Sequence, residues 1–281
     1  MRLAVARAVA ITLPIAMPQK TASAVASTHP PESKGDFPKT RWSVVLAAQC
    51  GGASSGRALE DLCRAYWYPI YVYLRRTGSG PHDAEDLTQG FFLEFLARDS
   101  LSRVTPERGR MRSFLLTSLK HYVTNEWRKE TAQKRGGGAT IVSIDQMSAE
   151  ERFANEPRHD DSPDILFDQS WAYAVLDSTM ARLRKYYEGF GKAALFAEIE
   201  SCLSWGEKDG SYAEKAARLG LTEAAVRFAV HQMRKRYQSI LRGQITDTVA
   251  TQEDAEAEIA HLCAVLDRKS TRLNSSHANI S

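Results

Sequence analysis

Apolar side chains recur at spacings of three and four along most of the chain, the period of helices that bury one face. Trp42, Val45 and Leu46 begin one such face, and Gly51–Gly56 reads as a loop. From Ala58 the series Leu59, Leu62, Cys63, Tyr66, Trp67, Ile70, Tyr71 and Leu74 predicts a long helix that Pro69 should kink and Thr77–Pro81 should end. A second helix opens at Pro81-His82-Asp83, with Ala84, Leu87, Phe91 and Phe95 inward and Phe92 and Leu96 widening that face. Its other side carries Asp83, Glu85, Asp86, Gln89 and Glu94, so an exposed acidic ridge is expected. A third helix is expected from Met111 to Gln133, with Phe114, Leu115, Leu119, Tyr122 and Val123 on its apolar side.

A second helical unit starts at Pro163 or Asp164, with Leu166, Phe167, Trp171, Val175, Leu176, Met180 and Leu183 periodic. A further helix carries Leu195, Phe196, Ile199, Cys202 and Leu203. Residues 211–237 then spell helix, tight turn, helix. Ser211 and Glu214 have the spacing of a capping box, small Ala213, Ala216 and Ala217 allow a close approach, Gly220 suits the turn and Thr222 caps the next helix. Val226, Val230 and Met233 should point inward, while Arg227, His231, Arg234 and Lys235 share an outward face. That is the helix-turn-helix pattern, whose second helix enters a DNA major groove.

Charge sharpens this picture. The net charge of +3 is uninformative, but its distribution is not. Residues 82–99 carry −4, residues 108–135 carry +6, residues 145–168 carry −6 and residues 211–244 carry +5. The stretch 145–168, with Pro157 and Pro163, reads as a solvated linker that avoids DNA and masks the basic faces. Two basic units beside acidic segments are the electrostatic footprint of a nucleic-acid reader. With 281 residues, 43% hydrophobic and 25% charged, the chain is neither a disordered polymer nor a fibre, and its length suits two domains.

The fold expected is therefore all-α, two helical domains joined by an acidic linker, the second with a helix-turn-helix. The divisions expected are 37–135, a linker at 136–163, 164–246 and a tail at 247–266. Residues 1–36 read as a disordered or mis-called extension; Arg7 and Pro14 break its apolar run, so neither an export signal nor a membrane span is expected. Asp267–His277 reads as an in-frame translation of a sequencing adapter, so 267–281 stay outside the fold reasoning. Cys50, Cys63, Cys202 and Cys263 show no CxxC spacing and are expected as free thiols; no metal site or cofactor is expected.

Three stretches in this order resemble the extracytoplasmic-function sigma factors of bacterial RNA polymerase, over about residues 40–260. His82-Asp-Ala-Glu-Asp-Leu-Thr-Gln-Gly-Phe-Phe-Leu93 is similar to the acidic helix of conserved region two. Arg110-Met-Arg-Ser-Phe-Leu-Leu with Asn125-Glu-Trp-Arg128 is similar to the promoter-melting helix, and Ser211–Tyr237 to the helix-turn-helix of region four. Arg64-Ala-Tyr-Trp-Tyr-Pro-Ile-Tyr71 resembles the first helix of the longer-chain members.

The resemblance implies a cytoplasmic, non-enzymatic factor that binds core polymerase and directs promoter recognition and melting. Asp83, Glu85, Asp86 and Gln89 would dock on the β′ clamp helices; Gly90 stands where the family usually has Glu. Arg112, Lys120, His121, Asn125, Trp127, Arg128 and Lys129 would meet the −10 element as single strand, with core packing favoured for Tyr122 and an equal alternative for Trp127. The −35 duplex would be met by Thr222, Arg227, His231, Arg234, Lys235 and Arg236, with Arg227 and Arg234 the candidates for guanine. An anti-sigma factor is a further partner the resemblance leaves open. The alternative is a stand-alone helix-turn-helix regulator, which explains 211–237 and leaves the acidic ridge without a role. An enzyme using Asp83, Glu85 and Asp86 is disfavoured, because no second acidic cluster outside the linker completes a two-metal site.

Overall fold

The computed structural model describes residues 53–97, 110–132, 146–154, 161–203, 211–249 and 251–278. The expected extension at 1–36, the helix begun by Trp42, and Cys50 lie outside the described residues. The fold is all-α, with no strand among the described residues.

Helix α1 is Ala53–Arg76, α2 is Pro81–Ala97 and α3 is Met111–Ala132. α1 starts inside the segment read as a loop and runs unbroken through Pro69. It ends where Gly78 takes a positive φ of 103°, a conformation that costs glycine little. Aromatic rings join the three helices: Trp67 stacks on Phe92, Phe91 on Phe95, and Phe91 meets Tyr122 edge-on with centroids 5.7 Å apart.

The expected solvated linker contains a helix, α4, Gln146–Ala154. Glu150 on α4 accepts from Arg75 Nη2 at 2.9 Å and from the Tyr71 hydroxyl. Phe153 lies edge-on to Tyr71 and beneath the guanidinium groups of Arg75 and Arg76. The acidic composition concealed this docking, because the partners of Glu150 lie more than 70 residues earlier.

Helix α5, Pro163–Gly189, starts at a Ser162 cap and packs along α1, although the sequence reading placed it in the second unit. It also touches the last two helices. A short helix α6, Ala193–Ile199, continues as a single tight turn to Leu203. Then come α7, Tyr212–Leu219, α8, Glu223–Thr246, and α9, Gln252–Ala278. The helix α9 continues past Leu266 into the residues read as adapter-derived. One connected core runs from Leu62 on α1 to Leu266 on α9, so the two predicted units share it. Periodicity marks which face of α5 is apolar but not what covers it. The described cysteines Cys63, Cys202 and Cys263 are free, and burial pushes the Cys63 thiol up to about 11.

Candidate nucleic-acid and polymerase interfaces

The acidic ridge on α2 is narrower than its sequence implies. Asp83 and Asp86 are exposed and Gln89 is half-buried. Glu85, expected on the ridge, is only 6% exposed. It falls on a buried side that spans Ala84, Glu85, Thr88, Phe91, Phe92 and Phe95. Burial raises the pKa of its carboxyl, Asp86 and Glu150 add to the rise, and His82 opposes it. Leu93 and Leu96 are exposed, although Leu96 was expected inward. Asp86, Gln89 and Leu93 are spaced one turn apart, so the strip passes from acidic to apolar along one line.

α3 divides into an anchored end and an open end. Arg112, expected to hold phosphate, is buried at the anchored end. Its Nε donates to Glu258 of α9 at 2.8 Å and its Nη1 to Asp168 of α5 at 2.5 Å, and its guanidinium lies over the Trp171 ring. His261 joins Asp168 at 3.0 Å, and Arg110 reaches Glu258 at 3.4 Å. Lys120 pairs with Asp164 at 2.6 Å across an exposed surface. Beyond it His121, Asn125, Arg128 and Lys129 are exposed, Lys129 paired with Glu126, and Trp127 is half exposed. Tyr122 packs against Phe91 as expected.

The helix, turn and helix at 211–246 are built as their spacing predicts. Glu214 N donates to Ser211 Oγ at 3.2 Å while Ser211 N donates to the Glu214 carboxylate, closing the capping box. Gly220 takes φ 63° in the left-handed region, and Thr222 caps α8 by accepting from Ala225 N at 3.2 Å. Val226, Val230 and Met233 are buried. The end of α6 and the turn at 200–203 are the support the sequence did not reveal: buried Lys215 donates to the Glu198 carbonyl at 2.9 Å and to Ser201 Oγ at 3.1 Å.

One candidate changes role. Arg234 donates to the Cys202 carbonyl at 2.7 Å, so it anchors α8 to the turn beneath it and is not on the outward face. At 100° per residue it sits on the flank of the helix, within reach of that carbonyl. Arg236 stacks on Tyr186 of α5 and donates to its hydroxyl at 3.0 Å. Arg227 is exposed, paired with Glu223 one turn earlier and lying over Tyr212. His231, Lys235 and Thr222 are exposed. Phe228, absent from the sequence-based candidates, is 65% exposed. The signal for it was an aromatic residue among the polar positions of an otherwise amphipathic helix.

Among the described residues no group of three or more His, Cys, Asp or Glu side chains is placed to hold a metal ion. No described helix is long and apolar enough to cross a membrane. No curated protein and no solved structure matches the chain. Residues 60–133, which hold most of α1 with all of α2 and α3, match the family model for sigma-70 region 2. In sigma factors that region serves RNA polymerase binding and promoter melting, and residues 60–133 of this chain resemble it.

Proposed function

We propose that the chain is a sigma factor of the extracytoplasmic-function type, which lends promoter specificity to core RNA polymerase. The observation that carries this is the pairing of a region 2 at 60–133 with a capped helix-turn-helix whose second helix has a cationic outer side. A region 2 engages the polymerase and the melted strand; a helix-turn-helix adds a reader for duplex DNA.

Asp83, Asp86, Gln89 and the exposed Leu93 form the strip offered to the β′ clamp helices. An acidic line running into an apolar one suits a partner that is basic and apolar in the same order. The −10 strand meets the open end of α3, where His121, Asn125, Trp127, Arg128 and Lys129 lie. Trapping unstacked bases there drives melting, since a base–aromatic stack contributes about 1–3 kcal/mol. Arg112 serves the packing and leaves this set. On α8 the −35 duplex meets Arg227, His231 and Lys235, with Thr222 at the helix start against the backbone. The mechanism is binding, with no bond made or broken by this chain.

The test is run-off transcription with sigma-free core polymerase and a library of promoter fragments. Discrete starts preceded by two shared, spaced elements are expected. Duplex binding without any transcript would favour a stand-alone regulator instead.

A further inference from the structure

We propose that Phe228 reads a thymine by its methyl group in the major groove, an inference that rests on the helix-turn-helix reading above. Phe228 is the large apolar side chain most exposed among the described residues. Its place on α8 gives that exposure a meaning. Val226, Val230, Met233 and Tyr237 face the core. At 100° per residue their mean direction lies about 180° from Phe228, so its ring stands at the crest of the outer face. Ala224, His231 and Lys235 fall on the same line, and all three are exposed.

The surroundings identify the partner. Arg227 precedes the ring and His231 and Lys235 follow it, so an apolar group is set among basic side chains. That suits a polyanion presenting an apolar spot. Ala224, one turn nearer the Thr222 cap, is small enough to let the helix sink towards a groove floor. In the major groove the one apolar group on a base edge is the C5 methyl of thymine, and Phe is among the side chains that contact it. Arg227 and Arg234 carried the specificity in the sequence reading, yet Arg234 is bound to the Cys202 carbonyl and Arg227 to Glu223. The crest of the helix is therefore left to Phe228, His231 and Lys235.

The full chain is used to select duplexes from a random library. Each thymine of the selected site is then replaced by deoxyuridine, which lacks only the methyl. At one position the replacement should weaken binding about three- to fivefold, the effect of one buried methyl. Phe228→Ala should bind thymine and deoxyuridine duplexes equally at that position and keep its response at all others, with unchanged helicity. Phe228→Leu should retain part of the discrimination. A selected duplex that tolerates deoxyuridine everywhere, or a Phe228→Ala chain that still discriminates, overturns the assignment while leaving DNA binding intact. If no duplex is enriched, the DNA reading itself fails, and this inference with it.

Discussion

Gly90 lies where α2 meets α3, and its backbone is closer to a neighbour than any side chain would allow. A Cβ there would run into the Tyr122 hydroxyl, whose ring is held against Phe91. The family resemblance treats this position as a lost carboxylate, but the packing gives the glycine a use. Replacing a mid-helix Gly by Ala ordinarily favours a helix by about 1 kcal/mol. Here we expect Gly90→Ala to cost about 1–2 kcal/mol in urea denaturation, as overpacking does. Adding Tyr122→Phe removes the obstructing oxygen and should recover most of that loss. Equal costs with and without the hydroxyl would show that the contact is not the cause.

Elements differ in how their carboxylates answer to acid. Glu85 on α2 and Glu150 on α4 are close enough for Glu150 to help raise the Glu85 pKa. The pKa of Glu85 is raised, so the folded state holds its proton more tightly and gains stability as pH falls through that raised value. For Glu150 burial pushes upward, yet hydrogen bonds from Arg75 and Tyr71 outweigh it and hold its carboxyl below the ordinary value of 4.5. Its contribution is present above 4.5 and is lost as pH falls from there through the depressed value. In thermal unfolding from pH 7 downwards, Glu85→Gln should raise the neutral-pH Tm and abolish the gain on mild acidification. Glu150→Gln should instead lower the neutral-pH Tm and flatten the loss below about 4.5. Parallel curves for both variants would contradict the assignment.

At the scale of the whole molecule, α3 is bound to helices far along the chain. Arg112 is enclosed by Asp168 and Glu258, and the Met111 amide donates to the Thr248 carbonyl at 3.2 Å. These buried pairs tie α3 to α5 and α9, and by themselves they are weak evidence for stability. Lys120–Asp164 is different: both side chains are nearly half exposed, and pairs of that kind contribute about 0–1 kcal/mol. The pairing that covers a basic side chain of α3 here comes from Asp164 at the start of α5, whereas Glu150 of α4 pairs with Arg75 on α1. Asp164→Asn is expected to leave Tm unchanged and to strengthen single-stranded DNA binding at low salt. The slope of log K against log salt should steepen by about 0.7, one further phosphate contact. An unchanged slope would place Lys120 away from the DNA.

What the sequence determined by itself is local. Helix periods, the Ser211–Glu214 box, the Gly220 turn and the Thr222 cap depend on groups a few residues apart, so their spacing is sufficient to specify them. The alternation of acidic and basic segments was legible for the same reason, as a property of the chain rather than of its packing. Tertiary structure alone decided which charges face solvent. Arg112 finds Glu258 at a separation of 146 residues, and Arg234 finds Cys202 at 32. Glu85 is enclosed by a wide buried face whose extent depends on the neighbouring helices. A charged residue in sequence carries only the cost of burying it; whether a distant partner offsets that cost is settled when the helices meet.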